Sequence, residues 1–136
     1  MIIEMSHVRT MGKIARIIES SYACRRGHCY KVERYSLIVC RELNVSSMDV
    51  KITKIASMLH DIGKVGIDLG ILNKTTKLTA GDWKQVHMHP DIGANIVSQI
   101  GFLKEIAPTI RYHHARFEGG GYPDPKISGT DIPIGA

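Results

Sequence analysis

Apolar residues recur three and four positions apart along most of this chain, and no stretch alternates apolar with polar residues. That spacing puts side chains on one face of a helix, whereas a half-buried strand needs a period of two. The expected fold is all-α. Met11, Ile14, Ala15, Ile18 and Tyr22 make one such face, which Gly27 interrupts. Val32, Tyr35, Val39 and Leu43 make a second, and His28, four residues before Val32, extends it. A third carries Ile55, Met58, Leu59 and Ile62, with Ser46 or Ser47 as its cap and Asp49 near the positive end of the helix dipole. The stretch 65–78 has no period and reads mainly as loop. Thr79 and Asp82 form the pattern of a capped short helix bearing Trp83 and Val86. Pro90 suits the first turn of a helix faced by Ile92, Ile96 and Ile100, and Pro108 opens another that Gly119-Gly120-Gly121 ends. From Tyr122 to Ala136 the chain is rich in Gly and Pro and has no helical period.

The 136 residues fit a single domain, 43% hydrophobic and 23% charged, which is ordinary for a globular chain and too apolar for disorder. No repeat or linker appears before residue 118. No apolar run approaches the roughly 18 residues that span a bilayer, and no secretory leader opens the sequence, so no membrane insertion and a cytoplasmic location are expected. Cys24, Cys29 and Cys40 are odd in number and form no C-x-x-C pair, which reads as reduced thiols. A formal charge of +5 and a pI near 9.2 suit an anionic ligand. DNA is not the expected one, because the basic residues are scattered, only Arg25 and Arg26 are adjacent, and aromatics are few.

Histidine is the anomaly. Five of seven (His60, His87, His89, His113 and His114) fall between positions 60 and 114. His28, His60, His89, His113 and His114, with Asp61, lie on or beside core-facing helix stripes. One buried histidine is ordinarily explained by a hydrogen bond to a backbone carbonyl. Five of them with an aspartate are harder to bury without partners, since each unpaired polar group costs about 1–3 kcal/mol. A shared metal centre removes that cost, because neutral imidazoles bind first-row metals and a carboxylate can bridge two. His7 lies in the first helix and reads as a surface or packing residue. His87, two residues before His89, points to another side of its helix and reads as no ligand.

The string His60-Asp61-Ile62-Gly63-Lys64 resembles the signature of HD-domain phosphohydrolases. It is followed by Ile71-Leu72-Asn73-Lys74, Lys77-Leu78-Thr79, Trp83, His89-Pro90 with Gly93, His113-His114, Gly121-Tyr122-Pro123 and Ile132-Pro133. This ordered set is similar to the HD-GYP subfamily over residues 28 to about 134, most strongly from 59 on. The resemblance implies an HD-domain helical bundle with a Gly/Pro-rich GYP loop, residues 1–26 forming an N-terminal helix and 27–136 carrying the motifs.

The same resemblance implies a metal-dependent phosphodiesterase that hydrolyses cyclic di-GMP, or a related cyclic dinucleotide, to linear pGpG or GMP in bacterial signalling; a hydrolase of another nucleotide and a catalytically weak signalling module are the alternatives. His28, His60 and Asp61 would hold one metal, and Asp61 would bridge to a second held by His89, His113 and His114. Both would be divalent, iron or manganese first, with zinc, nickel, magnesium and cobalt as alternatives. Asp61 and Lys64 would be catalytic, Lys64 donating to phosphate oxygens, and Gly121, Tyr122 and Pro123 would shape the substrate pocket. A homodimer and a sensor or receiver partner are further expectations. The sequence departs from the family pattern at Cys24, Asp68, Ala115 and Glu118. It also ends at Ala136, before the family's C-terminal helices and the Asp that would complete the first metal's shell, so weak activity of this chain is expected.

Overall fold

The computed structural model describes residues 5–21 and 27–136; Tyr22, Cys24, Arg25 and Arg26 lie outside them. Among the described residues seven α-helices follow in order: α1 Met5–Ser20, α2 His28–Glu42, α3 Ser47–Leu59, α4 Leu69–Leu72, α5 Ala80–Val86, α6 His89–Ser98 and α7 Ala107–Tyr112. Three short 3-10 segments, Ile62–Gly66, Gly101–Ile106 and Gly129–Asp131, separate or follow them. No strand occurs among the described residues.

Ser46 starts the central helix. Its hydroxyl accepts the Asp49 N–H at 3.1 Å and donates to the Asp49 carboxylate at 2.6 Å, which fixes the first turn of α3. From that start the helix buries Thr53, Ile55, Ala56, Ser57 and Leu59, and it packs against α1, α2 and α7. Leu59, Val97, Leu103, Ile106 and Ile110 are each no more than 1% exposed and form the heart of the core. Each such side chain contributes roughly 1.5–3 kcal/mol by leaving water.

The second packing seam sets the site. Here α6 lies against the Ile62–Gly66 turn, α7 and Gly101–Ile106. Gly63 is required at this crossing, because a Cβ there would run into the His89 carbonyl oxygen and the Gly93 amide nitrogen. That close approach draws the turn holding Asp61 against the first residue of α6, His89.

Two expected helix faces are rotated. On α2 the buried residues are Cys29 and Cys40, with Val32, Ser36 and Leu37 half-buried between them, while Tyr35, Val39 and Leu43 are exposed. On α6 the buried ridge is His89, Gly93 and Val97, one residue beyond the Ile92, Ile96 and Ile100 face, whose members are only partly covered. On α2 and α6 apolar residues occupy two sides of the helix and the packing partner selects one. On α1 the expected face holds better: Ala15 is buried, Met11 and Ile18 pack partly buried against the core, Val8 joins them, and Ile14 is exposed. The 65–78 stretch is not all loop: Asp68 accepts the Gly70 N–H and starts the single turn α4. The last α-helix, α7, ends at Tyr112, well before the three glycines, so His113 and His114 stand just past its end.

Candidate metal centre

The six residues singled out by the sequence meet in one place. His28 opens α2, His60 closes α3, Asp61 precedes the Ile62–Gly66 turn, His89 opens α6, and His113 and His114 follow α7. They form two triads, His28–His60–Asp61 and His89–His113–His114, and within each the ligand-type atoms lie within 4.8 Å of one another. The His60 and His28 Nε2 atoms are 3.3 Å apart, and those of His89 and His113 are 3.2 Å apart. Asp61 lies between the triads. Its Oδ2 is 3.4 Å from His60 Nε2 and 4.0 Å from His28 Nε2, and its Oδ1 is 3.3 Å from His89 Nε2.

Three backbone carbonyls orient the rings. His60 Nδ1 meets the Ser57 carbonyl at 2.8 Å, His89 Nδ1 that of Val86 at 2.7 Å, and His113 Nδ1 that of Ile110 at 2.6 Å, each three residues back. A ring that donates from Nδ1 carries its lone pair on Nε2. Those Nε2 lone pairs therefore face one another and the Asp61 oxygens, acceptor against acceptor, at a site where His89 is 1% exposed. Acceptors crowded this way need a cation among them. Nδ1-to-carbonyl bonding is also the usual way a protein orients a metal-binding imidazole. Six oxygen and nitrogen donors with no thiolate fit a first-row divalent ion.

The charges agree. Burial pushes His113 down to about 3, and neighbouring imidazoles add to this against the Ile110 hydrogen bond. Burial and then His89 push His114 down to about 4. Both rings are neutral at pH 7 and free to act as ligands. Burial would raise the Asp61 carboxyl, but the His60 and His89 rings beside it and the Lys64 ammonium outweigh burial and hold the group well below the usual carboxylate range. Lys64, 8% exposed, pairs with Asp61 Oδ2.

A cavity of about 540 Å³ opens over both triads, bounded also by Lys64, Trp83 and Tyr122. That is a volume suited to a small-molecule ligand. Gly121 packs so closely on the His114 carbonyl and the Ala115 backbone that a side chain could not be placed there. The Tyr122 N–H donates to the His114 carbonyl at 3.4 Å, and the Tyr122–Pro123 peptide is cis. Of the three, Tyr122 lines the cavity, and Gly121 and Pro123 are its chain neighbours outside the lining.

Two neighbours were not expected from sequence. His87 ends α5 and does not share a helix with His89; it belongs to neither triad, but its ring stacks on Tyr122 at 4.0 Å and 16°, and Tyr122 stacks in turn on His114 at 4.6 Å and 21°. Its i, i+4 spacing from Trp83 was the one available signal. Glu19, buried on α1, accepts the Cys29 N–H at 2.9 Å and so reaches the turn that carries His28; nothing in its spacing marked it. His7 is exposed and rests against Phe102, 5.4 Å between ring centroids, away from the centre. Cys29 and Cys40 are buried free thiols, and burial, then Glu19 and Asp61, push Cys29 up to about 12.

A helical fold that closes His-Asp and His-His pairs around one cavity defines an HD domain, a class of metal-dependent hydrolases. The family profile described as "HD domain" matches residues 12–136, and the chain belongs to that family. Within it the motifs and the relatives are those of the HD-GYP group. The chain is 32% identical over 119 residues to the 3'3'-cGAMP-specific phosphodiesterase 3 of Vibrio cholerae, covering 88% of this chain and 26% of that protein. It is 32% identical over 136 residues to the cyclic di-GMP phosphodiesterase response regulator RpfG of Xanthomonas campestris, covering 98% and 36%. A cyclic di-GMP phosphodiesterase of Thermotoga maritima is 37% identical over 114 residues, covering 79% and 29%. The chain spans between a quarter and two fifths of the length of these relatives. Among the described residues no helix is long and apolar enough to cross a membrane.

Proposed function

We propose that this chain is the catalytic domain of a metal-dependent phosphodiesterase acting on a cyclic dinucleotide, cyclic di-GMP first. The observation that carries the reading is the position of Asp61, one carboxylate oxygen toward each imidazole triad. Relatives named for cyclic di-GMP or 3'3'-cGAMP hydrolysis support the substrate class.

In this reading His28, His60 and Asp61 would hold one divalent ion and His89, His113 and His114 a second, with Asp61 offering an oxygen toward each triad. When bound, such ions neutralise phosphate charge and acidify water. Iron or manganese is the expected pair. The rest falls to the chain. The Ser57, Val86 and Ile110 carbonyls keep the imidazoles aimed inward, so the site is built before substrate arrives. Lys64 balances Asp61 and presents a buried positive charge where a non-bridging phosphate oxygen gains charge. Tyr122 and the loop behind it narrow the cavity and limit water at the phosphate.

The decisive experiment is to load the purified chain with Fe(II) or Mn(II) and follow nucleotides by chromatography. Linear pGpG or GMP should appear from cyclic di-GMP, and an Asp61→Asn variant should form neither. The cGAMP-specific relatives favour one second reading, 3'3'-cGAMP as the preferred substrate. Equal concentrations of the two cyclic dinucleotides in one reaction would decide between them, and inertness toward both would refute the proposal.

A further inference from the structure

Trp83 is the chain's single tryptophan. It is 48% exposed on α5, yet it lines the same cavity as His28, His60, Asp61 and Lys64. Its position is well fixed. The helix starts with a complete capping box, Thr79 accepting the Asp82 N–H and Asp82 accepting the Thr79 N–H, and Asp82 also pairs with Lys74. Trp83 is the next residue. One helical turn later, His87 lies 5.5 Å from the indole at 49°, then stacks on Tyr122, which stacks on His114. The aromatic wall therefore runs from the metal centre to a half-exposed indole. Neither triad uses Trp83 or His87.

We infer that Trp83, backed by His87 and Tyr122, is the platform on which a purine base of the substrate stacks while its phosphate lies at the two triads. This rests on the phosphodiesterase reading and adds the base-binding element to it. Lys64 and the triads, once they hold cations, supply positive charge, which suits phosphate but offers nothing to a flat heterocycle. The wall supplies what they lack. Face-to-face separations of 4.0 and 4.6 Å show that planar rings already stack in this part of the cavity. The indole extends the series with a large π-surface open to the cavity, and every nucleobase has a face to lay against it.

The test uses the metal-loaded chain and two ligands that share a phosphate monoester, GMP with a base and ribose 5-phosphate without one. With a single tryptophan, fluorescence reports on Trp83 alone. GMP should quench it saturably, and ribose 5-phosphate should bind without quenching. By calorimetry, Trp83→Ala should weaken GMP about tenfold and leave ribose 5-phosphate unchanged, a loss typical of one base–aromatic stack. Trp83→Tyr should restore most of the affinity, and His87→Ala should give an intermediate loss for GMP alone. Metal content should match the parent protein in all three variants. Equal weakening of both ligands, GMP binding no tighter than ribose 5-phosphate, or metal loss on Trp83→Ala would overturn the platform and leave the phosphodiesterase reading standing. Failure of both ligands to bind the metal-loaded parent would overturn that reading, and the platform with it.

Discussion

Asp61 Oδ1 lies 3.3 Å from His89 Nε2 across the seam between the Ile62–Gly66 turn and α6, while the other oxygen of the same carboxylate faces the first triad. A ligand shared by two ions affects both when removed. Asp61→Ala should therefore lose more bound metal than His28→Ala, which touches one triad only. Elemental analysis of the purified variants checks this, and equal losses would remove the bridging role. His7→Ala, far from the centre, should bind metal like the parent.

Lys64 is buried against Asp61, so its removal has two separable consequences. Without metal, Lys64→Met leaves a buried carboxylate uncompensated, and breaking such a pair costs roughly 3–5 kcal/mol. Metal ions restore the missing positive charge, so the stability deficit should shrink when the variant is loaded. Turnover should stay low, on the order of a hundredfold below the parent, if Lys64 has its proposed role as a donor to the phosphate. Thermal melts with and without metal, beside steady-state kinetics, separate the two effects.

Gly63→Ala should be among the most damaging single methyl additions in the chain. The new carbon meets backbone on α6 and not a flexible side chain tip, so α6 itself must shift. Overpacking of this kind costs typically 1–3 kcal/mol. The shift would also separate Asp61 from His89, so weaker metal retention should accompany a lower Tm. A variant that loses stability but keeps full metal content would show that the seam does not set the centre.

Much of this site could be read from the sequence, and the reason is physical. His60, His89 and His113 stand where a helix begins or ends, and a histidine on or beside an apolar stripe must face inward. Sequence reasoning set the carbonyl-bonded histidine and the metal ligand against each other as alternatives. The two are compatible in one ring: Nδ1 meets the carbonyl while Nε2 points toward the other triad residues. Helix register was less legible. On α2 the strip of Tyr35, Val39 and Leu43 is as apolar as the side that packs, and only the position of α3 decides between them. The stack of His87 on Tyr122 joins residues 35 positions apart in sequence, and no local spacing encodes such a contact.

Acid should release the cap on α5. Hydrogen bonds from Lys74 and from the Thr79 backbone hold the Asp82 carboxyl down to about 2, against a usual value of 3.8. A group with a depressed folded pKa stabilises the fold above its unfolded value and loses that contribution as pH falls through the folded one. The Asp82 contribution should thus be complete above about pH 4 and fade toward pH 2. Denaturant melts of the parent and Asp82→Asn should differ at neutral pH and converge in that window. A difference that persists below pH 2 would mean the side chain acts through something other than its charge.

Glu19 should matter to the first triad although it lies on another helix and touches no ligand-type atom of the triads. Helix α2 begins at Gly27, which offers no side-chain cap, and its first turn contains no acidic residue. The exposed N–H groups of that turn need an acceptor, and the positive end of the helix dipole favours a negative one. Glu19 meets both needs through Cys29, the residue next to His28. Removing a capping acceptor costs typically ~1 kcal/mol, and fraying of the first turn would reach His28 before any other ligand. Glu19→Ala should therefore lower Tm and weaken the His28–His60–Asp61 ion while His89, His113 and His114 keep theirs. Glu19→Gln, which preserves the acceptor but not the charge, should fall between that variant and the parent. Metal stoichiometry measured across a chelator titration reads this directly: early loss of one ion from Glu19→Ala is the expected result, and simultaneous loss of both would mean that Glu19 supports the fold as a whole and not the position of His28.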